Sequence, residues 1–120
     1  MFDVTLSLVV LRSSDIGRAA HFFGLLGIRF ESEKHGSGPE HFAARLGPTV
    51  LEIYPQGSET ASVGMRLGFR VASVDAVVET VLREGGEVLM PPRHGPWGYR
   101  AVLADPDGRQ VEISEAEDSA

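Results

Sequence analysis

The sequence contains no cysteine. That excludes a disulfide framework, a thiolate nucleophile and any cysteine-held metal. Basic residues are also few: 11 Lys+Arg stand against 17 Asp+Glu, giving a formal net charge of -6 and a pI near 5.1. With no basic field to neutralise phosphates, the balance argues against nucleic-acid binding. No apolar run approaches the roughly 20 residues that a membrane helix needs. The opening Met1-Phe2-Asp3 lacks the basic start and long apolar core of a signal peptide. The expectation is a cytoplasmic protein with neither a nucleic-acid nor a membrane partner. What remains is a 120-residue chain, 42% hydrophobic, long enough for one domain with its own core.

The most informative stretch is residues 94–112. It holds His94-Gly95-Pro96-Trp97-Gly98-Tyr99-Arg100, an apolar run, then Asp105-Pro106-Asp107-Gly108 and Val111-Glu112-Ile113. Asp at position i, Pro at i+1 and Gly at i+3 are type I turn preferences, so two strands with a tight turn are expected. Alternation sends Glu112 to the face opposite Val111 and Ile113. A carboxylate on one sheet face, with a loop carrying Trp97 and Tyr99 at its end, suggests a ligand site.

In chain order, residues 4–11 read as a strand. Ser13-Ser14-Asp15 is a helix N-cap cluster, and Ile16, Ala19, Ala20, Phe23 and Leu26 recur at helical spacing. Strands follow at 28–31, 41–46 and 49–54. A polar Gly/Pro linker covers 55–63. The order then restarts: a strand at 64–72, Ser73 as N-cap, and a helix burying Val74, Val77, Val78, Val81 and Leu82. Strands are expected at 87–90, 98–104 and 110–114, with a loop at 91–96. Residues 115–120 form a short acidic tail, expected to fray.

The two halves repeat. Lys34-His35-Gly36 matches Arg93-His94-Gly95 at an offset of 59, and Leu51-Glu52-Ile53 matches Val111-Glu112-Ile113 at an offset of 60. The expectation is α+β: two tandem βαβββ modules in a single domain, residues 3–54 and 64–114, as paired curved mixed sheets enclosing a cleft. Glu52 and Glu112 take equivalent inward positions.

With these motifs the chain resembles the vicinal oxygen chelate superfamily of glyoxalases, bleomycin and fosfomycin resistance proteins and extradiol dioxygenases. The resemblance runs over nearly the whole chain. It rests on Trp97-Gly98-Tyr99-Arg100, the Asp105–Gly108 turn, Val111-Glu112-Ile113, and the entry and exit of the first helix. Metal-using members carry two His and two Glu. The resemblance places the Glu positions on Glu52 and Glu112. It places the His positions on Leu8 and Arg66. Leu offers no donor, and Arg is cationic at every relevant pH. No cofactor is therefore expected. A divalent metal, if present, would fall to Glu112 and Glu52.

The resemblance implies a protein that sequesters a small molecule in the inter-module cleft without a metal, as bleomycin resistance proteins do. The alternatives are a divalent-metal glyoxalase- or dioxygenase-type enzyme on a small oxygenated substrate, or a metal-free enzyme with Glu112 or Glu52 as base. A homodimer is implied as well. The sharpest expectation puts Arg66 between Glu52 and Glu112 on a buried cleft floor, with Trp97 closing over it.

Other residues carry weaker signals. Trp97 and Tyr99 are either a stacking wall or ordinary loop packing. His94 is either a ligand contact or a solvated loop residue. His41 either faces inward, replacing a missing imidazole, or exchanges faces with Phe42 by a register shift. His35 reads as a loop residue and His21 as helix surface. Arg100 is expected to brace Asp105 or Asp107. Gly36-Ser37-Gly38 is not a phosphate loop, because no Lys-Ser/Thr helix start follows. No Ser-His-Asp arrangement is evident.

Overall fold

The computed structural model describes residues 3–57 and 63–115, and among these described residues two helices and eight strands alternate in a repeated order. The first set is β1 (Leu8–Ser13), α1 (Ile16–Gly24), β2 (Glu31–Glu33), β3 (His41–Leu46) and β4 (Thr49–Pro55). The second is β5 (Arg66–Val71), α2 (Val74–Arg83), β6 (Glu87–Gly95), β7 (Gly98–Ala104) and β8 (Gln110–Glu115). Each set forms one four-stranded mixed sheet, ordered β1-β4-β3-β2 and β5-β8-β7-β6. The α+β fold and the β-α-β-β-β order are as expected. Most of the expected linker and the tail beyond Glu115 lie outside the described residues. The chain divides into two compact units, one built on each sheet.

Sequence chemistry fixes both helix starts. Asp15 Oδ1 accepts the backbone N–H of Arg18 at 3.1 Å, and Ser73 Oγ accepts that of Ala76 at 3.1 Å. Glu115 Oε1 takes the Val74 N–H at 3.0 Å, placing a carboxylate at the positive end of α2. In the first unit α1 buries Ala19, Phe22 and Phe23 against Leu11, Leu51 and Ile53. Phe22 and Phe23 meet edge to face at 5.2 Å, so the buried face includes a residue that the simple spacing passed over. In the second unit Val74, Val77, Val78 and Val81 form the stripe. Leu82, expected to be buried, lies on the flank of that stripe and is 57% exposed.

Strand ends differ from expectation where the ladder, not composition, sets them. The β1 ladder begins at Leu8 because its parallel partner β4 meets it from Val50 onward. β2 lies at Glu31–Glu33, where it finds partners in Ala43, Phe42 and His41. β6 runs on through Pro91 and Pro92 to Gly95, with register shifts between Val88 and Met90 and between Met90 and Arg93. Proline cannot donate to a ladder, so it sits at an irregularity of this edge strand.

The β7–β8 turn forms as the sequence predicts. Gly108 N–H donates to Asp105 O at 2.9 Å, and Gly108 has φ 90°. Asp105 Oδ1 accepts the N–H groups of Asp107 and Arg109, and Asp105 Oδ2 pairs with Arg109 Nη1 at 2.6 Å. Arg109 is fully buried. Burial pushes the Asp105 carboxyl above the usual carboxylate range, while these donors and the Arg109 charge pull the other way. It is therefore Arg109 that braces this turn. Arg100, expected to do so, points elsewhere.

Candidate functional site

Glu52 and Glu112 occupy equivalent places in their sheets. Glu52 on β4 lies opposite Val10 of β1 and Ala43 of β3; Glu112 on β8 lies opposite Gly68 of β5 and Val102 of β7. Both are on strands paired in parallel with the first strand of the set. Both face away from the helix, because the flanking Leu51, Ile53, Val111 and Ile113 fill the helix-side core.

In the second unit Glu112 Oε1 collects two guanidinium groups. Arg66 Nη2 stands 3.2 Å away, and Arg100 Nη1 donates to the same oxygen. Arg100 also lies under Trp97, its guanidinium carbon 5.6 Å from the ring centroid. Trp97 occupies the two-residue β6–β7 hairpin tip and is 74% exposed. Arg66, Glu112, Arg100 and Trp97 thus form one connected chain of contacts. The side chain of Arg66 is 52% exposed, so the expected burial of this cation is corrected to a half-open position.

Tyr99 and His94 take the other side of that sheet. The Tyr99 hydroxyl donates to Asp75 on α2, and the His94 and Tyr99 rings lie 4.6 Å apart. Hydrogen bonding to the Asp75 carboxylate raises the Tyr99 pKa above its ordinary value, since ionising the phenol would lose that bond and face a like charge. Alternation along β7 separates Tyr99 from Arg100, so Trp97 and Tyr99 do not share one stacking wall.

In the first unit Leu8, half exposed, lies on the same sheet face as Glu52. Glu52 has His41 as its partner: His41 Nε2 is 3.6 Å from Glu52 Oε2. His41 faces away from α1 and Phe42 toward it, since Phe42 lies opposite the buried Ile53. The His41 ring stacks on Tyr54 at 4.1 Å and 9°, and Arg12 lies over the Tyr54 ring. His41 Nε2 is also 3.3 Å from Glu33 Oε2, and His35 Nε2 is 3.3 Å from that same oxygen. The sequence marks His35 as only a loop residue; the hairpin places it in this group. An open depression of about 410 Å³ adjoins the group, lined by Glu31, Glu33, Glu52, Arg29, Arg45 and Val50 among others.

The ligand positions implied by the family resemblance do not fit a divalent ion here. Leu8 has no donor atom, and Glu112 Oε1 is occupied by two cations. Among the described residues, the His/Glu group with metal-ligand spacing is Glu33, His35 and His41, none of them one of those positions, with Glu52 beside His41.

A family model described as the Glyoxalase/Bleomycin resistance protein/Dioxygenase superfamily matches residues 5–113. No curated protein matches significantly. Among solved structures, the chain is similar to TnmS3, an antibiotic binding protein from Streptomyces sp. CB03234. The identity is 22%, covering 98% of this chain and 99% of that one, with a TM-score of 0.78. It is similar to the oxidase ChaP-H2 at 16% identity, over 99% and 98% of the two chains, with a TM-score of 0.77. A glyoxalase/bleomycin resistance protein/dioxygenase family enzyme from Burkholderia phytofirmans PsJN aligns at 23% identity over 92% and 97%, with a TM-score of 0.72.

Proposed function

This chain belongs to the Glyoxalase/Bleomycin resistance protein/Dioxygenase superfamily, and from that premise we propose that it binds a small anionic or carbonyl-bearing molecule, with no metal ion at Glu112. The observation that carries this reading is the pair of guanidinium groups on Glu112 Oε1. In the family arrangement a carboxylate at this position faces a cation. Here Arg66 and Arg100 supply the positive charge as fixed side chains. Two cations beside one carboxylate leave a local charge of +1, which favours an anionic or electron-rich oxygen group on the ligand. Arg presents a planar fork of donors suited to carboxylate or carbonyl oxygens. Trp97, held near Arg100 at the hairpin tip, offers a face on which a flat ligand can stack.

Binding without chemistry is favoured over base catalysis for a physical reason: one Glu112 oxygen is already engaged by two donors, which makes it an anchor for the arginines. The similarity in fold to an antibiotic binding protein supports sequestration as the role. The same reading includes assembly as a cytoplasmic homodimer, which sedimentation equilibrium tests. The binding claim is tested by a thermal-shift screen of flat carboxylates, 2-oxo compounds and antibiotics. A ligand that stabilises the native state raises the melting temperature with its concentration.

A further inference from the structure

We propose that Glu33, His35 and His41 form a binding site for one divalent transition-metal ion on the β2–β3 hairpin, with Glu52 as a neighbouring oxygen donor. None of the three hairpin residues stands at a family ligand position, and the inference does not rest on the small-molecule reading above.

Spacing is the first argument. The ligand atoms of Glu33, His35 and His41 all lie within 4.8 Å of one another. Glu33 Oε2 is 3.3 Å from each imidazole Nε2, and Glu52 Oε2 is 3.6 Å from that of His41. A tetrahedral site with bonds of about 2.0–2.1 Å has donor–donor edges of about 3.3–3.4 Å. The side chains already stand near the edges of such a polyhedron.

The second argument is the hydrogen bonding of His41. This imidazole is 1% exposed, and its Nδ1 is 3.3 Å from the carbonyl oxygen of Pro39. A carbonyl only accepts, so Nδ1 is the donor of that bond and Nε2 is the nitrogen turned to the neighbouring side chains. Nε2 faces the carboxylates of Glu33 and Glu52, and the Tyr54 hydroxyl stands 3.3 Å from it. Two carboxylates converging on one imidazole nitrogen favour a cation among them. An Nδ1–H bonded to a backbone carbonyl is also how a ligating histidine is oriented for coordination through Nε2. Stacking on Tyr54 fixes the ring plane.

The third argument is local construction. Glu33 and His41 are register partners in the β2–β3 ladder, and Ala43 of β3 lies opposite Glu52 of β4. His35 is returned toward them by a turn closed by Gly38 N–H on His35 O at 2.9 Å. Two imidazoles and one or two carboxylates select Zn²⁺, Co²⁺, Ni²⁺ or Fe²⁺ over Mg²⁺ or Ca²⁺, which prefer all-oxygen sets. The adjoining depression leaves space for water or an oxygen-donor ligand on the ion.

The test uses the full chain, stripped with chelator and dialysed, titrated with Zn²⁺ by calorimetry and with Co²⁺ by visible absorbance. The expected result is one ion per chain with Co²⁺ ligand-field bands. Outer-shell changes already cost 10–100-fold in metal affinity, so His35→Ala and Glu33→Gln should each weaken Zn²⁺ binding by about 100-fold or more. The His35 side chain is 75% exposed, so His35→Ala should leave the metal-free melting temperature unchanged. His21→Ala, on the exposed surface of α1, should bind as the parent does. Absence of saturable binding in the parent overturns the proposal. So does one-to-one binding that survives both His35→Ala and Glu33→Gln.

Discussion

Arg66 Nη2 stands 3.2 Å from Glu112 Oε1, joining the first strand of the second set to its last. The pair is half open, with Arg66 more exposed than the carboxylate. An ion pair in this setting is screened by solvent and contributes at most about 1 kcal/mol. Arg66→Met should therefore change unfolding stability by less than about 1 kcal/mol in urea titration at neutral pH. A buried ionic cluster, the arrangement expected from the sequence, would instead cost roughly 3–5 kcal/mol. A loss of that size would place Arg66 in a drier setting than the structure gives it.

Asp105 and Arg109 make the opposite case. Both side chains are fully buried and Arg109 Nη1 lies 2.6 Å from Asp105 Oδ2. Asp105→Ala removes the nearest carboxylate of a buried guanidinium and the acceptor for two turn N–H groups. The expected loss is about 3–5 kcal/mol, measured by chemical denaturation. A loss below about 1 kcal/mol would show that the pair is not a structural anchor.

Much of the fold is legible in the sequence because it follows from local rules. The caps at Asp15 and Ser73, the Asp105–Gly108 turn and the alternation around Glu52 and Glu112 each depend on a few adjacent residues. The buried Arg109 is not legible, since arginine is ordinarily a surface residue and only the tertiary position of Asp105 reverses this. The grouping of Glu33, His35 and His41 is hidden for a different reason. It depends on the register of β2 on β3, and a seven-residue connection does not fix register as a tight turn does. The signal that could find it is the spacing Glu-x-His and His at the two ends of one expected hairpin. Arg100 reaches Glu112 rather than the turn acids because the two share a sheet face. Val102 lies opposite Glu112, and alternation along β7 puts Arg100 on the same side as Val102.

Tyr99 gives a pH prediction. Its hydrogen bond to Asp75 raises the phenol pKa above 10.0. A group whose folded pKa is raised contributes stability that is complete below its unfolded pKa and is lost as pH rises through the folded one. The bond should therefore support the fold at neutral pH and weaken only in strong alkali. In a Tyr54→Phe background, where Tyr99 is the single remaining tyrosine, Asp75→Asn should move the phenolate absorbance midpoint down toward 10.0. An unmoved midpoint would mean that the Asp75 contact does not persist in solution.

Trp97 is the single tryptophan of the chain, so its emission reports on the hairpin tip beside Arg100 with no competing signal. The most direct test of the binding account is titration of the parent protein with the best ligand from the thermal-shift screen, followed by Trp97 fluorescence. The account predicts a saturable change in emission at one ligand per chain, and a rise in Kd of about tenfold or more in Arg66→Met, the loss of one charge-assisted contact worth about 1.5–3 kcal/mol. A ligand that stabilises the protein while leaving Trp97 emission unchanged, and that binds Arg66→Met as tightly as the parent, would contradict it.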